Sequence, residues 1–422
     1  MTGQTIQKDP SCKDEFDPNS LSADQALKRI LDSIDSIQGT EKVPLRTGLD
    51  RILCEDIRSK INVPGCTNSA MDGYAVQGTD LPESGIKELK LVGTVFAGRP
   101  LKEAIISGTC ARIMTGGVMP QGTDSVVIQE NVERHGDVVR IGNDTRYGDN
   151  VRQAGEDIKI GDVILRKGVR LTPADIGLVA SLGIGEVMVT RKPRVAFFST
   201  GDELRSIGEK LEDGDVYDSN RYTLYGMLMR LGAEIIDMGV IKDVKEEVEK
   251  AFNEAASYAD VVITSGGVSV GEADYVKEIM KKIGKVDFWK VAIKPGRPLA
   301  FGKINNAYFF GLPGNPVSVM VTFYQFVQPA LYKLMGSQHI EPITCTAVCL
   351  STLKKRPGRV EYQRGVLERD SSGQLVVHKT GAQGSGILSS MAQANCFIIL
   401  PMDSSGISKG NSVDIQPFFG IV

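Results

Sequence analysis

The apolar residues between Pro193 and about residue 336 alternate between two spacings, one typical of strands and one typical of helices. Residues 261–264 form a β-branched run, which indicates a strand buried on both faces. The apolar positions within residues 276–283 recur at helical spacing, and Gly284 closes that helix. Repeated units of this length predict a mostly parallel sheet with helices on both faces, an αβα sandwich.

Short β runs separated by glycines flank this region on both sides. The runs before it predict a small β domain, and those after it predict a second one that is barrel-like. Capping boxes at residues 22–25 and 172–175 predict two helices outside the sandwich. The sequence thus predicts a multidomain α/β plus β protein with five parts: a disordered tail at residues 1–19, a mixed helical domain from residues 20–59 and 155–192, a small β domain at 60–154, a central α/β domain at 193–336 and a C-terminal β domain at 337–422.

Composition excludes several classes of protein. A net charge of -3 over 422 residues gives no basic footprint for a nucleic-acid binder. Seven scattered cysteines argue against a disulfide framework and for a reducing compartment. Three distant histidines disfavour histidine-based metal or triad chemistry, so a metal here is expected to be a hard, oxygen-bound ion. We expect no membrane span and no signal sequence, and hence a cytoplasmic protein.

Polar loops follow successive predicted strands of the central domain, at residues 200–203, 242–243, 265–274 and 311–318. Ligands of parallel sheets collect at the carboxyl ends of strands, so these loops are expected to converge. The glycine-rich loop at 265–274 is typical of an anion site at a helix N-terminus, with Glu272 and Asp274 beside it for a divalent cation. A tight turn with Asp274 as a helix cap is the alternative.

The remaining loops are interpreted in the same way. Asp243 starts a capping box with Glu246. In the loop 311–318, Asn315 is a candidate N-cap and Pro316 the first helical residue. Lys290 and the run 294–298 add positive charge, although such a run alone is usually a solvated turn. Five polar loops at one edge favour a phosphorylated, metal-bound substrate; a Walker loop and a dinucleotide fingerprint are both missing from the sequence.

Five further stretches carry polar residues with two possible roles each. Asp72, in the small-residue run 68–75, either caps a turn or is presented to a ligand, and the second role is favoured. Thr115 begins a glycine turn that is an anion loop or an ordinary turn. Asp157 is one of two adjacent acidic residues, which either belong to a site or are simply charges of a solvent-exposed loop. In the C-terminal domain, residues 359–364 and 384–386 either contribute to a binding site or are ordinary surface residues.

Seven of these motifs, taken together, resemble the molybdopterin molybdenumtransferase family, the bacterial MoeA proteins related to the E domain of gephyrin. The resemblance runs in order through residues 20–422 and rests on these stretches: Ser69-Ala-Met-Asp-Gly-Tyr-Ala75, Arg112-Ile-Met-Thr-Gly116, Gly155-Glu-Asp157, Ser199-Thr-Gly-Asp-Glu-Leu204, Ser265-Gly-Gly-Val-Ser-Val-Gly271, Lys294-Pro-Gly-Arg-Pro298 and Leu312-Pro-Gly-Asn-Pro-Val-Ser318. It implies an elongated four-part protomer and a homodimer formed through the mixed domain. It also implies insertion of molybdenum from molybdate into adenylylated molybdopterin, with AMP release that needs a divalent cation, commonly Mg²⁺.

The resemblance also implies roles for individual residues. Asp243 and Asp274 would hold the cation, and Asp72, Thr115 and Asp157 would complete the site from the other protomer. Other catalytic candidates are Glu203, Lys290 and Lys294. The substrate or molybdate would be bound by Asp202, Ser265, Gly266, Gly267, Ser269, Gly271, Arg297, Pro313, Gly314, Asn315, Pro316, Ser318, Arg359 and Ser385. Whether Asp202 and Glu203 orient water, the metal or the pterin stays open.

Two positions depart from the family pattern: Arg297 stands where many relatives carry lysine, and Gly117 where alanine is frequent. An Arg at position 297 keeps the charge but changes the donor geometry. A catalytically idle scaffold of the same fold is the alternative function, and an unrelated nucleotide or nicotinamide hydrolase is a third. The expected partners are molybdate, the adenylylated pterin and other proteins of cofactor biosynthesis.

Overall fold

The computed structural model describes residues 20–267, 274–338 and 341–418; the predicted tail at 1–19 lies outside them. The chain enters through helix α1 (Ala23–Asp32), strand β1 (Thr40–Pro44) and strand β2 (Ile57–Arg58). Ser22 starts α1 with the predicted capping box, since its Oγ accepts from the Gln25 N–H at 3.1 Å and its own N–H donates to Gln25 Oε1 at 3.0 Å. The capping prediction for α1 is therefore confirmed.

The next part is a small β unit built around a six-stranded sheet in the order β7-β4-β6-β5-β9-β8, with β3 and β10 paired beside it. Gly136, at φ +64°, turns the hairpin between β8 and β9 as predicted. The strands are β3 (Asn68–Ser69), β4 (Gly73–Val76), β5 (Lys87–Val95), β6 (Thr109–Ile113), β7 (Ser125–Ile128), β8 (Val132–His135), β9 (Val138–Ile141) and β10 (Val151–Arg152).

After this unit the chain returns to its beginning through strand β11 (Val163–Leu165), helix α2 (Pro173–Ser181) and strand β12 (Glu186–Thr190). Strand β11 pairs with β2, and β12 pairs with β1 along its whole length. Thr172 caps α2 with Asp175 as its capping-box partner. Residues from before and after the small β unit therefore share one hydrophobic cluster, which includes Leu53, Leu171 and Val189.

The central part is an αβα sandwich around a six-stranded sheet in the order β16-β13-β17-β21-β20-β18. Strands β16, β13, β17 and β21 are parallel, whereas β20 pairs antiparallel with both β21 and β18. The elements are β13 (Arg194–Thr200), β14 (Leu204–Arg205), β15 (Val216–Tyr217), α3 (Ser219–Arg230), β16 (Glu234–Ile241), α4 (Lys245–Tyr258), β17 (Val261–Ser265), α5 (Asp274–Ile283), β18 (Gly284–Lys290), β19 (Ile293–Lys294), β20 (Pro298–Ile304), β21 (Ala307–Leu312), α6 (Pro316–Thr322) and α7 (Gln328–Leu334). A π-helical turn over Phe323–Val327 joins α6 to α7.

Alternating side chains of β13 show how the sheet is covered. Phe197 faces the layer that contains α1, α3 and α6, and Phe198 faces the layer that contains α4 and α5; both are fully buried. Period-2 alternation thus serves two cores from one strand. The predicted capping box at Asp243 is wrong: α4 has Val244 as its N-cap and no side-chain cap. Asp243 is instead turned toward the strand ends, where it lines a cavity.

The C-terminal part is a closed five-stranded barrel. Its strand order is β24-β25-β22-β28-β26, and β26 pairs back onto β24, which closes the ring. The elements are β22 (Cys345–Cys349), β23 (Leu353–Lys354), β24 (Val360–Arg369), β25 (Leu375–Lys379), α8 (Leu388–Ala392), β26 (Cys396–Leu400), β27 (Gly406–Ile407) and β28 (Ser412–Pro417). Strand β19 of the central part pairs in parallel with β24. The predicted architecture, with an αβα sandwich, small β domains and a barrel-like C-terminus, is confirmed.

Candidate functional site

A cavity of about 990 Å³ lies where the carboxyl ends of the central strands meet the barrel. Two contacts join its walls: β19 pairs with β24, and the Val317 N–H at the start of α6 donates to the Ser385 carbonyl at 3.0 Å. The strand-end loops after β13, β16, β17 and β21 all contribute to the lining, as the sheet topology predicted. Predicted residues in the lining are Glu203, Asp243, Ser265, Gly266, Gly267, Lys294, Arg297, Pro313, Gly314, Asn315, Ser318, Arg359 and Ser385.

Glycines after β17 allow the loops to approach each other closely. Gly266 has φ +92°, and a Cβ added there would lie 2.7 Å from the Thr200 carbonyl oxygen. Its N–H donates to the Leu312 carbonyl at 3.1 Å, which holds the loop against the end of β21. Gly267 also has positive φ, at +69°. A side chain at 266 is excluded by sterics, so the turn requires glycine.

Carboxylates line the same end of the cavity. Glu203 and Asp243 both face it, and the Asp243 N–H donates to Asp202 Oδ1 at 3.3 Å. These oxygen donors are of the type that hard divalent cations prefer. No group of three or more histidine, cysteine or acidic side chains with metal-site spacing occurs within residues 20–267, 274–338 and 341–418. Ser269 and Gly271 lie outside the described residues, and of Asp274 only its place as the first residue of α5 is described.

Cations outnumber carboxylates among the charged residues that line the whole cavity. Five cationic and three carboxylate side chains line it: Lys294, Arg297, Lys354, Arg359 and Lys379 against Glu203, Asp243 and Glu361. Lys294 Nζ lies 3.7 Å from Glu361, which is buried and also accepts from Gln363 at 3.0 Å. A smaller cavity of about 170 Å³ continues from this wall and adds Lys355 and Arg356. The excess of cations suits an anionic ligand.

Arg364, which the sequence did not single out individually, supports the loop that carries Ser385. Arg364 is 1% exposed; its Nε donates to Ser390 Oγ at 3.0 Å and its Nη2 to the Gly384 carbonyl at 3.0 Å. Nη2 also reaches the Ala382 carbonyl at 3.4 Å. Burial lowers the pKa of Arg364 to about 10, so the side chain still carries its charge at neutral pH. This buried cation therefore fixes the cavity wall from behind.

Asp72 and Thr115 form a pair in the small β unit. The Asp72 carboxylate accepts from the side chain and from the N–H of Thr115, both at 2.7 Å. The Thr115 hydroxyl, followed by its N–H, lowers the pKa of Asp72. Asp157 is exposed, and its N–H donates to the Val63 carbonyl at 3.0 Å. None of these three residues is among the described lining of the cavity in this protomer.

Three further predicted residues lie beside the cavity and not in its described lining: Asp202, Lys290 and Pro316. Pro316 is the first residue of α6 and follows the predicted N-cap residue Asn315 in the chain. The Asn315 side chain makes no capping hydrogen bond. Lys290 ends β18, and its carbonyl accepts from the Leu21 N–H at 2.9 Å. The lining residues that sequence reasoning missed include Asn220, Lys354, Lys379 and Gln383, whereas Thr200, Glu361 and Gln363 fall within the predicted stretches 200–203 and 359–364.

Asn220 could have been found from the sequence. The buried positions of α3 are 220, 224, 227 and 228, which is the helical spacing of an apolar stripe. A polar residue in such a stripe needs a polar partner, and here the partners are the two glycine loops. The residues of the barrel wall carried no comparable local signal, because their role depends on how the barrel docks.

The fold and the cavity define a multidomain α/β protein with a cation-rich cavity between the edge of an open sheet and a barrel. Family models match nearly the whole chain: the MoeA N-terminal region at residues 21–183, a probable molybdopterin binding domain at 196–333 and the MoeA C-terminal region at 346–418. The chain therefore belongs to the MoeA family of molybdopterin molybdenumtransferases, an enzyme family of molybdenum cofactor biosynthesis.

Individual relatives agree with this family. A molybdopterin molybdenumtransferase of Haemophilus influenzae is 47% identical over 94% of this chain and 98% of its own length. A gephyrin of Dictyostelium discoideum is 36% identical over 94% of this chain and 62% of its own length. The crystal structure of a molybdopterin biosynthesis moeA protein from Pyrococcus horikoshii OT3 has a TM-score of 0.84 at 32% identity, covering 94% of this chain and all of that one. No helix within the described residues is both long and apolar enough to span a membrane.

Proposed function

We propose that the protein inserts molybdenum from molybdate into adenylylated molybdopterin and releases AMP in a step that depends on Mg²⁺. The observation that carries the proposal is the cavity itself, in which glycine loops, carboxylates and an excess of cations surround one space. A phosphorylated substrate, a hard cation and an oxyanion require these three kinds of partner. The name of the H. influenzae relative, molybdopterin molybdenumtransferase, supports the molybdenum transfer in this proposal.

Each wall of the cavity has a separate task in this proposal. The loop at 265–267 binds the phosphate groups of the substrate through its backbone and the Ser265 hydroxyl. Lys294, Arg297 and Arg359 attract molybdate, a dianion, with Ser318 and Ser385 as hydroxyl donors. The molybdenum in this scheme is substrate, and its sulfur ligands come from the pterin.

A divalent cation would be held by Asp243 together with Asp274 of α5, with Glu203 on the same wall of the cavity. The donor set fits it, because Glu203 and Asp243 present carboxylate oxygens at the strand ends. When bound, the cation supplies Lewis-acid stabilisation of the phosphate oxygens. Lys294 at the end of β19 and Arg297 on the loop that leads to β20 bind and orient the oxyanion.

The proposal includes a homodimer formed through the mixed domain, in which Asp72, Thr115 and Asp157 of one protomer complete the site of the other. The support for this is that the three residues lie outside the cavity of their own protomer, while Thr115 holds the Asp72 carboxylate in one orientation. A side chain that is oriented but has no cavity in its own protomer is suited to a site on a partner. We expect the protein in the cytoplasm, passing its product to other proteins of cofactor biosynthesis.

The reaction is tested by mixing purified protein with adenylylated molybdopterin, molybdate and Mg²⁺ and measuring released AMP and molybdenum cofactor. AMP release that requires both molybdate and Mg²⁺ supports the proposal. An intact protein that releases no AMP under these conditions contradicts it and favours a non-catalytic scaffold.

Sharing of the site is tested by subunit complementation. The variants Asp72→Asn and Asp243→Asn are each expected to be inactive. After unfolding and refolding together, random assortment gives heterodimers in which one of the two sites is intact, so about a quarter of wild-type activity returns. A mixture that stays inactive while heterodimers are present would place Asp72 outside the shared site.

A further inference from the structure

Asn220 connects the two glycine loops of the cavity. It lies in the first turn of α3, and its side chain is 8% exposed. Its Nδ2 donates to Ser265 Oγ and to the Gly314 carbonyl, both at 2.7 Å. The two loops touch each other, since a Cβ added at Gly314 would lie 4.0 Å from the Gly266 Cα. One buried amide group therefore fixes the relative position of both loops.

The orientation of this amide is determined by its partners. A carbonyl oxygen only accepts hydrogen bonds, so the NH₂ end of Asn220 must face Gly314. The Oδ1 end is buried, and none of the described residues donates to it. A buried acceptor without a partner costs stability. The presence of asparagine at position 220 is therefore explained by the two hydrogen bonds that its NH₂ group donates, and not by a contribution to the stability of the helix.

The hydrogen bonds of Asn220 also decide which way two neighbouring donors point. Because Ser265 Oγ accepts from Asn220, the hydrogen of its hydroxyl remains available for another acceptor. The Gly314 carbonyl points toward α3, so the N–H of Asn315, on the opposite side of the same planar peptide, points away from α3. Ser265 and Asn315 both line the cavity.

We infer that Asn220 is a positioning residue that makes the Ser265 hydroxyl and the Asn315 N–H donors to a phosphate group of the ligand. The inference rests on the proposed function, which assigns a phosphorylated ligand to these loops. Asn220 acts through Ser265 and Gly314. Its loss frees the Ser265 hydroxyl to rotate and the Gly314 peptide to turn, so that both donors lose their direction.

A double-mutant cycle tests this coupling. AMP is the probe, and its affinity for the full-length protein is measured by calorimetry in the presence of Mg²⁺. The variants are Asn220→Leu, which keeps the branched shape without adding charge, Ser265→Ala, and the two together. Each single change is expected to weaken AMP binding roughly tenfold or more, as for one hydrogen bond to a charged group. The double variant is expected to bind no more weakly than Asn220→Leu alone.

Ser199→Ala is the matched control. Ser199 is also buried, its Oγ has no hydrogen-bond partner among the described residues, and it is not in the described lining of the cavity. This variant should bind AMP as the wild type does. If Asn220→Leu binds AMP with wild-type affinity, the inference is wrong but the proposed function is not affected. The same holds if the losses of the two single variants add in the double variant, because a general structural role of Asn220 would produce additive losses. A wild-type protein that binds no AMP overturns both the inference and the proposed function.

Discussion

Replacing Arg364 by methionine should loosen the cavity wall that carries Ser385. The change removes two hydrogen bonds of normal length, to Ser390 Oγ and the Gly384 carbonyl, and a longer one to Ala382. Bonds to a charged group contribute about 1.5–3 kcal/mol each, and relief of the buried charge offsets part of that sum. A local loss of about 3 kcal/mol remains.

Amide hydrogen exchange measures the loss of local stability at individual residues of the loop that carries Ser385. The Val317 N–H, which donates to the Ser385 carbonyl, and the Thr380 N–H, which donates to the Arg364 carbonyl, both report opening of the loop. Because each 1.4 kcal/mol is a factor of ten, exchange at these amides should accelerate roughly a hundredfold. The amide of Phe309, in the central sheet, should keep its wild-type rate.

Arg364→Lys is the control that separates charge from geometry. Lysine retains the positive charge but has a compact ammonium in place of the planar fork, so it cannot reach Ser390 and Gly384 in the same way. Exchange at Val317 is expected between that of the wild type and that of Arg364→Met. Wild-type protection of Val317 in the methionine variant would refute the idea that this buried cation holds the wall.

Two further variants test one contact at the site and one at the opposite edge of the central sheet, where Asp260 precedes β17. Gly266→Ala places a Cβ 2.7 Å from the Thr200 carbonyl and should weaken AMP binding at least tenfold by calorimetry, whereas Gly208→Ala, at nearly the same φ but with no atom within 4 Å, should bind as the wild type does. Asp260→Asn should destabilise the protein by about 2 kcal/mol in urea unfolding at neutral pH, because it breaks the paired bonds to Arg191, both at 2.7 Å. Burial raises the pKa of Asp260, but the bonds to Arg191 and to a backbone N–H outweigh it and leave the pKa below its ordinary value. The carboxylate therefore stabilises the fold at neutral pH, and the difference between the proteins should disappear as the pH falls below the ordinary carboxyl range; an equal difference at pH 7 and pH 3 would contradict this.

The sequence predicted those parts of the site that follow from the topology of one sheet. Parallel strands bring their carboxyl ends to one edge, so Glu203, Ser265 and Gly314 were expected to lie together, and they do. Asp243 fits two predictions, a helix cap from its spacing to Glu246 and a site residue in the strand-end loop 242–243. The structure turns Asp243 to the cavity instead, and spacing alone cannot choose between two uses of one carboxylate.

The barrel wall of the cavity was predictable only in part. Arg359 and Ser385 came from the family resemblance and Gln363 lies in the predicted polar stretch 359–364, whereas Lys354 and Lys379 were missed. These side chains reach the cavity because β24 pairs with β19, a contact between strands that belong to different domains. No local pattern of apolar and polar positions encodes that docking. Residues whose role depends on contacts between domains have to be read from the structure.

The small β unit is inserted into another domain, and the insertion determines how Asp72 and Thr115 are joined to the rest of the chain. The chain leaves and re-enters at neighbouring points, since Val63 bridges Ile158 and β2 pairs with β11. Both crossings therefore lie at one place, and Asp72 and Thr115, which are bonded to each other, belong to the same inserted unit. In the dimer proposed above, the paired Asp72 and Thr115 would therefore be presented to the partner's cavity as one preformed unit.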